Sequence, residues 1–165
     1  MSARFQRISP FLWFDQQAEE AARHYVSIFE NSRIVKTVRY DAESAAASGQ
    51  PKGSVMTVAF ELDGLAFTAI NGGPHFTFNE SISLVVNCRS QAEIDRYWDA
   101  LSEGGDPRAQ QCGWLKDRYG LSWQVVSTEI IDILSGEDAG RASRAMAAVL
   151  QMKKIDVAAA LRAAG

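Results

Sequence analysis

Histidine, cysteine and proline are scarce in this sequence, which has 165 residues but only 2 histidines, 2 cysteines and 4 prolines. The two cysteines, Cys88 and Cys112, form no CxxC motif, so we expect reduced thiols in a cytoplasmic protein. We also expect no signal peptide and no membrane span, because no apolar run is long enough for either. The net charge of -3 comes without a cluster of basic residues. Phosphate binding requires such a cluster, which argues against a nucleic-acid partner.

The bulk composition is that of an ordinary globular protein. Hydrophobic residues make up 47% and charged residues 22% of the chain, which is too apolar for intrinsic disorder. A chain of this length buries one core, so we predict a single domain over residues 1–165.

The first half of the chain predicts the element order β-α-β-β-β. An apolar strand at 8–14 precedes an amphipathic helix for which Asp15 is the predicted N-cap and Asn31 the left-handed stop. Asp63-Gly64 is a strong signal for a tight hairpin between the last two of three β-rich segments, at 33–40, 53–62 and 65–70. The segment 41–52 is a predicted loop, and it is either a lid or a solvated hairpin connection.

The second half repeats this order in a shorter form. A strand at 81–88 is followed by the capping box Ser90 to Glu93 and by a helix ended at Gly104-Gly105. Two short strands are predicted at 113–116 and 121–127. Beyond them, Ala-rich amphipathic helices, the first capped by Thr128 and the last by Asp156, form a tail without apparent chemistry that packs on the domain or on a partner subunit.

An internal repeat is visible in the sequence. Ile8-Ser9 recurs as Ile82-Ser83, and the QAE of residues 17–19 recurs at 91–93, both 74 residues later. The GLAF of residues 64–67 corresponds to GLSW at 120–123, an offset of 56, so the second half is 18 residues shorter (74 minus 56). We therefore divide the domain into halves at 1–72 and 81–127 and a helical tail at 128–165.

Several motifs spread along the chain resemble one protein family. They are PFLWFD (10–15), EEA (19–21), NGGP (71–74), FTFNE (76–80), SIS (81–83), CGWLKD (112–117), SWQ (122–124) and MKKID (152–156). The sequence resembles the PhnB-like family, described as 3-demethylubiquinone-9 3-methyltransferase-like, of the vicinal-oxygen-chelate (glyoxalase/bleomycin-resistance) superfamily. The resemblance implies an α+β fold in which duplicated βαβββ units form curved mixed sheets, and it implies a homodimer.

The resemblance also indicates where a metal ion would be held. Metal enzymes of the superfamily use one side chain from the first and last strand of each half, and these places correspond to Ile8, Thr68, Ser81 and Gln124 here. None is an imidazole, carboxylate or thiolate, the donors that divalent ions require. The sequence also lacks the glycine-rich turn after a first strand that would hold a nucleotide-type cofactor. We therefore predict no metal site and no cofactor.

The same places predict a small-molecule pocket. If Thr68 and Gln124 point into the concave side of the sheets, strand alternation sends Phe67, Trp123 and Val125 toward the helices. Neutral polar groups in an apolar cavity suit a small, uncharged or aromatic molecule. The candidate ligand-binding residues are Thr68, Gln124, Ser81, Ser83, Asn71, His75 and Trp114.

Three readings of the function follow. The leading hypothesis is a metal-independent small-molecule binding protein. The alternative is an enzyme acting on an aromatic or quinone-like substrate, with Glu80 or Asp117 as a general base or Cys112 as a nucleophile. A third reading is a dimeric scaffold whose pocket is filled by its own side chains.

Overall fold

The computed structural model describes residues 5–165, which divide into two compact units at the step from Thr77 to Phe78. This step lies between the two halves predicted at 1–72 and 81–127. In the described range no helix is both long and apolar enough to cross a membrane. Both units contain helices together with a sheet of mixed parallel and antiparallel strands, which confirms the α+β class.

The first unit contains one four-stranded sheet. Its elements are β1 (Phe11–Phe14), α1 (Ala18–Ile28), β2 (Arg33–Arg39), α2 (Ala42–Ser48), β3 (Val55–Leu62) and β4 (Leu65–Asn71). The strand order is β1-β4-β3-β2, in which β1 is parallel to β4 and the other pairs are antiparallel. Asp63 and Gly64 have φ angles of 47° and 76°, so they form the predicted tight turn.

The start of α1 differs from the prediction. The N-cap residue is Gln17, not the predicted Asp15, and the Gln17 side chain forms no capping hydrogen bond. Instead, the Ala18 N–H donates to Asn71 Oδ1 over 2.8 Å. The parallel pairing of β1 with β4 places Phe14 beside Asn71, so a residue distant in sequence satisfies a helix-terminal donor. Asn31 is left-handed as predicted, with φ of 49°, although the helix already ends at Ile28.

Segment 41–52 contains a helix, not the predicted loop. The Ala-rich residues of α2 follow Asp41, whose side chain accepts from the Ser44 N–H, while Ser44 Oγ accepts from the Asp41 N–H. The Ser44 hydroxyl also donates to Asp41 Oδ1 over 2.6 Å, and this bond, together with the one from the Ser44 N–H, lowers the pKa of the Asp41 carboxyl. A favourable cap next to strong helix formers overcame the turn-like composition of the segment.

The second unit contains a three-stranded sheet and the helical tail. Its elements are β5 (Leu84–Cys88), α3 (Gln91–Ser102), a short 3₁₀ helix (Pro107–Ala109), β6 (Trp114–Lys116), β7 (Ser122–Ser127), α4 (Thr128–Leu134), α5 (Ala139–Val149) and α6 (Val157–Ala164). The strand order is β5-β7-β6, with β5 parallel to β7. The second repeat thus has the strand, helix and two strands predicted from its sequence, one strand fewer than the full βαβββ unit that the resemblance implies.

Helix caps in the second unit follow the sequence in part. Ser90 Oγ accepts from the Glu93 N–H as predicted, but the Glu93 carboxylate accepts from the Arg89 N–H, so the predicted capping box is incomplete. The cap of α4 is Ser127 instead of Thr128, and Asp156 caps α6 as predicted.

Candidate functional site

A large cavity lies within the second unit, between the β5-β7-β6 sheet and the first two helices of the tail. Its volume is about 700 Å³, which is within the range of small-molecule binding sites.

The sheet supplies one wall of the cavity through Val85, Trp114, Gln124 and Val126. Gln124 on the central strand is in register with Val85 on β5 and with Trp114 on β6, so these three side chains form a row across the sheet. Alternate residues of β7 face the other way, since Trp123 and Val125 are buried. The predicted alternation of β7 is confirmed.

The tail supplies the opposite wall. Its lining residues are Ile130, Ile131, Leu134, Met146, Val149 and Leu150. The sequence analysis identified no chemistry in the tail and did not predict that its helices line a cavity. Residues 130 and 134, and residues 146, 149 and 150, share one face of their helices, and this spacing shows that each helix is amphipathic without showing which surface it covers.

The polar groups of the cavity are neutral. Gln124 Nε2 donates to Ser83 Oγ over 2.9 Å, and Gln111 Nε2 donates to the Leu150 carbonyl over 2.7 Å. Ser127 Oγ accepts from the Ile130 N–H as the cap of α4. Among the described residues that line the cavity there is no Asp, Glu, Lys, Arg or His. These lining residues therefore offer no counter-charge to an ion.

Cys112 lines the cavity from an unusual backbone position. Its φ is 53° and that of Gly113 is 84°, and the paired hydrogen bonds between Gln111 and Trp114 close a tight two-residue turn. The N–H groups of Cys112 and Gly113 donate to the Met152 and Lys153 carbonyls. The turn is thus fixed to the segment before α6, and it holds the partly exposed thiol at the cavity.

The two acids proposed as general bases are occupied elsewhere. Asp117 is buried, and its carboxylate accepts from the Tyr119 N–H, the Leu121 N–H and Trp123 Nε1. It therefore fixes the turn between β6 and β7 and does not line the cavity. Glu80 is exposed and forms an ion pair with Lys116, which lowers the pKa of the Glu80 carboxyl. A general base for neutral pH needs a raised pKa, which argues against Glu80, and Asp117 is disfavoured by its position away from the cavity lining.

The remaining predicted ligand residues are divided between the units. In the first unit, Thr68 lies on the sheet face opposite to the buried Phe67 and Ala69. Asn71 caps helix α1, as described above. His75 is exposed and lies beside the Trp13 ring. In the second unit, Ser81 is exposed and its hydroxyl bonds to Asn79. The second unit brings together Gln124, Ser83, Trp114 and Cys112.

The donors do not fit a metal ion or a charged cofactor. No cluster of three or more His, Cys, Asp or Glu side chains suited to a metal occurs in residues 5–165. Of the four places that the resemblance indicates, Ile8 is aliphatic and 86% exposed, and Thr68, Ser81 and Gln124 are neutral. A sulfonium cofactor such as S-adenosylmethionine carries charges that the neutral lining of the cavity does not match.

Comparisons with known proteins agree on one family. The family model described as 3-demethylubiquinone-9 3-methyltransferase matches residues 6–126. A solved structure described as a putative 3-demethylubiquinone-9 3-methyltransferase, PhnB protein, from Bacillus cereus is 35% identical, with a TM-score of 0.63 over 74% of this chain and 100% of that chain.

Two more distant structures support the fold. Protein PA1353 from Pseudomonas aeruginosa is 22% identical, with a TM-score of 0.56 over 74% of this chain and 98% of its own. The fosfomycin resistance protein FosX from Listeria monocytogenes is 10% identical, with a TM-score of 0.50 over 82% of this chain and 100% of its own. No curated protein sequence matches. The family match ends at residue 126, before the helices that supply the second cavity wall.

Proposed function

Because the chain belongs to the family described as 3-demethylubiquinone-9 3-methyltransferase, within the glyoxalase/bleomycin-resistance superfamily, we propose that its cavity binds a small, largely apolar molecule without a metal ion. The observation that carries this proposal is the cavity of about 700 Å³, whose lining is mostly aliphatic and whose polar groups are neutral. Burial of apolar ligand surface against these side chains provides the binding free energy.

Binding without methyl transfer is the better supported activity. The enzymatic alternative needs a base near the ligand, but Asp117 is held by three hydrogen bonds and Glu80 by Lys116. Cys112 alone of the three catalytic candidates lines the cavity. A binding or sequestering role uses only groups that are present at the cavity.

The proposal is tested by titration with N-phenyl-1-naphthylamine, an uncharged fluorophore whose emission rises in apolar surroundings. We expect saturable binding that is unchanged after dialysis against EDTA. Val126→Trp places an indole inside the cavity and is expected to weaken binding by about tenfold or more, since the lost volume and contacts cannot be recovered. Val35→Trp, at an exposed position of β2 in the first unit, is the matched control and leaves the affinity unchanged.

Two outcomes would contradict the proposal. Absence of saturable binding to the folded protein would remove the binding role. Loss of binding on EDTA treatment, restored by a divalent ion, would remove the metal-independent part.

The proposal extends to assembly and location. We propose a homodimer, because apolar side chains near the β1 edge of the first sheet are exposed: Ile8 is 86% and Phe11 60% accessible. A cytoplasmic location is consistent with Cys88 and Cys112, which are both free thiols.

A further inference from the structure

Gln124 occupies the centre of the sheet wall of the cavity. It lies on β7, the middle strand, with Val85 beside it on β5 and Trp114 beside it on β6. A flat ligand that lies on this wall would contact Val85 on one side of the Gln124 amide and Trp114 on the other. The wall combines one polar group with an apolar surround.

The Gln124 amide is only partly satisfied by the protein. Its Nε2 donates to Ser83 Oγ, and in the part of the chain that the structure describes it makes no second side-chain hydrogen bond. One carbonyl oxygen and one N–H thus remain for a partner in the cavity. A hydrocarbon ligand would cover this amide without replacing its bonds to water, which costs binding free energy.

We propose that Gln124 selects uncharged aromatic alcohols, the phenol class, with the ring on Trp114 and Val85 and the hydroxyl on the Gln124 amide. This inference rests on the proposed function, since it concerns the same cavity. A hydroxyl both donates and accepts, so it matches the two remaining groups of the amide. The neutral lining disfavours a phenolate or a carboxylate, because an ion would be buried without a counter-charge.

The test compares two ligands of nearly equal shape, 2-naphthol and 2-methylnaphthalene, by displacement of N-phenyl-1-naphthylamine. The measured quantity is the ratio of the dissociation constant of 2-methylnaphthalene to that of 2-naphthol. Gln124→Leu removes the amide and keeps the volume, and it is expected to lower this ratio about two- to twelvefold, which is the usual range for one neutral hydrogen bond. Ser83→Ala frees the amide to rotate and is expected to lower the ratio by a smaller factor.

Gln16→Leu, at an exposed position of the first unit outside the cavity lining, is the matched control, and the ratio is expected to stay at the wild-type value. Gln111→Leu is measured beside it, because Gln111 supplies the second amide of the lining, whose Nε2 donates to the Leu150 carbonyl and to Cys112 Sγ. Far-ultraviolet circular dichroism and melting temperature establish that each variant is folded. If Gln124→Leu does not fold, the ratio measured for Ser83→Ala tests the role of Gln124 in its place.

The outcomes separate this inference from the proposed function. If both naphthalenes bind and the ratio does not change in Gln124→Leu or Ser83→Ala, the cavity binds ligands but the role of Gln124 is wrong. If the ratio changes only in Gln111→Leu, the proposed role of Gln124 is also wrong, because the Gln111 amide would then select the hydroxyl group. If neither compound displaces the fluorophore and the fluorophore itself does not bind, the proposed function fails and this inference with it.

Discussion

At the residue scale, the two cysteines have opposite environments. Cys88 is fully buried on β5, and burial, with a smaller contribution from the charge of Glu93, raises the pKa of its thiol to about 11. Cys112 is partly exposed at the cavity. Only the thiolate reacts with alkylating agents, so burial and the raised pKa both make the Cys88 thiol unreactive.

We predict that iodoacetamide at pH 8 labels one thiol rapidly and that Cys112→Ser abolishes this rapid phase. The Cys88 thiol, with a pKa of about 11, is about 0.1% thiolate at that pH. Because its folded-state pKa is raised, its labelling should increase only as the pH approaches 11. Cys88→Ser is the control that keeps the rapid phase, which mass spectrometry of the labelled peptides measures. Rapid labelling of Cys88 at pH 8 would contradict the prediction.

At the scale of the elements, a feature could be predicted from the sequence when neighbouring residues determine it. The Asp63-Gly64 turn, the alternation along β7 and the Ser90 cap follow from neighbouring residues, and the structure has all three. The cap of α1 could not be read locally, because its acceptor, Asn71, is 53 positions away. The cavity wall was missed for the same reason, since an amphipathic helix does not reveal from its own sequence which surface it faces.

The Asn71 side chain gives a direct test of this long-range cap. It accepts from the Ala18 N–H and donates to the Val55 carbonyl, so it joins α1, β3 and β4. We predict that Asn71→Ala lowers the free energy of unfolding by about 1–3 kcal/mol, because a buried donor loses its acceptor. Binding of N-phenyl-1-naphthylamine should be unchanged, since Asn71 does not line the cavity in the second unit.

Urea unfolding followed by circular dichroism measures the effect. Asn87→Ala, at an exposed position of β5, is the matched control and should change stability by less than about 0.5 kcal/mol. Equal stability of the two variants would show that Asn71 is not needed as a cap. In that case its earlier assignment to ligand binding would regain support.

At the scale of the whole molecule, the exposed apolar side chains of the first unit bear on assembly. The sheet order β1-β4-β3-β2 leaves β1 and β2 as its two edges, each with unpaired backbone groups along one side. The β1 edge carries Phe11, which is 60% exposed, and Ile8 lies just before it. On the β2 edge, Val35 is exposed between charged neighbours, Arg33 and Lys36. Charged residues protect an edge from association, so β1 is the more suitable edge for a second copy of the chain.

We therefore predict that sedimentation of the protein gives a mass of about 36 kDa, which is twice the 18.1 kDa of one chain. Phe11→Lys should shift the mass toward that of one chain, because in a two-fold interface each substitution places a charge in the contact twice. Val35→Lys changes the same kind of residue on the opposite edge and should leave the dimer intact. A wild-type protein that sediments as a monomer at micromolar concentration would contradict the homodimer, whereas dissociation by Val35→Lys alone would move the interface to β2. Since the cavity lining belongs entirely to the second unit, the Phe11→Lys monomer should still bind N-phenyl-1-naphthylamine with the wild-type affinity.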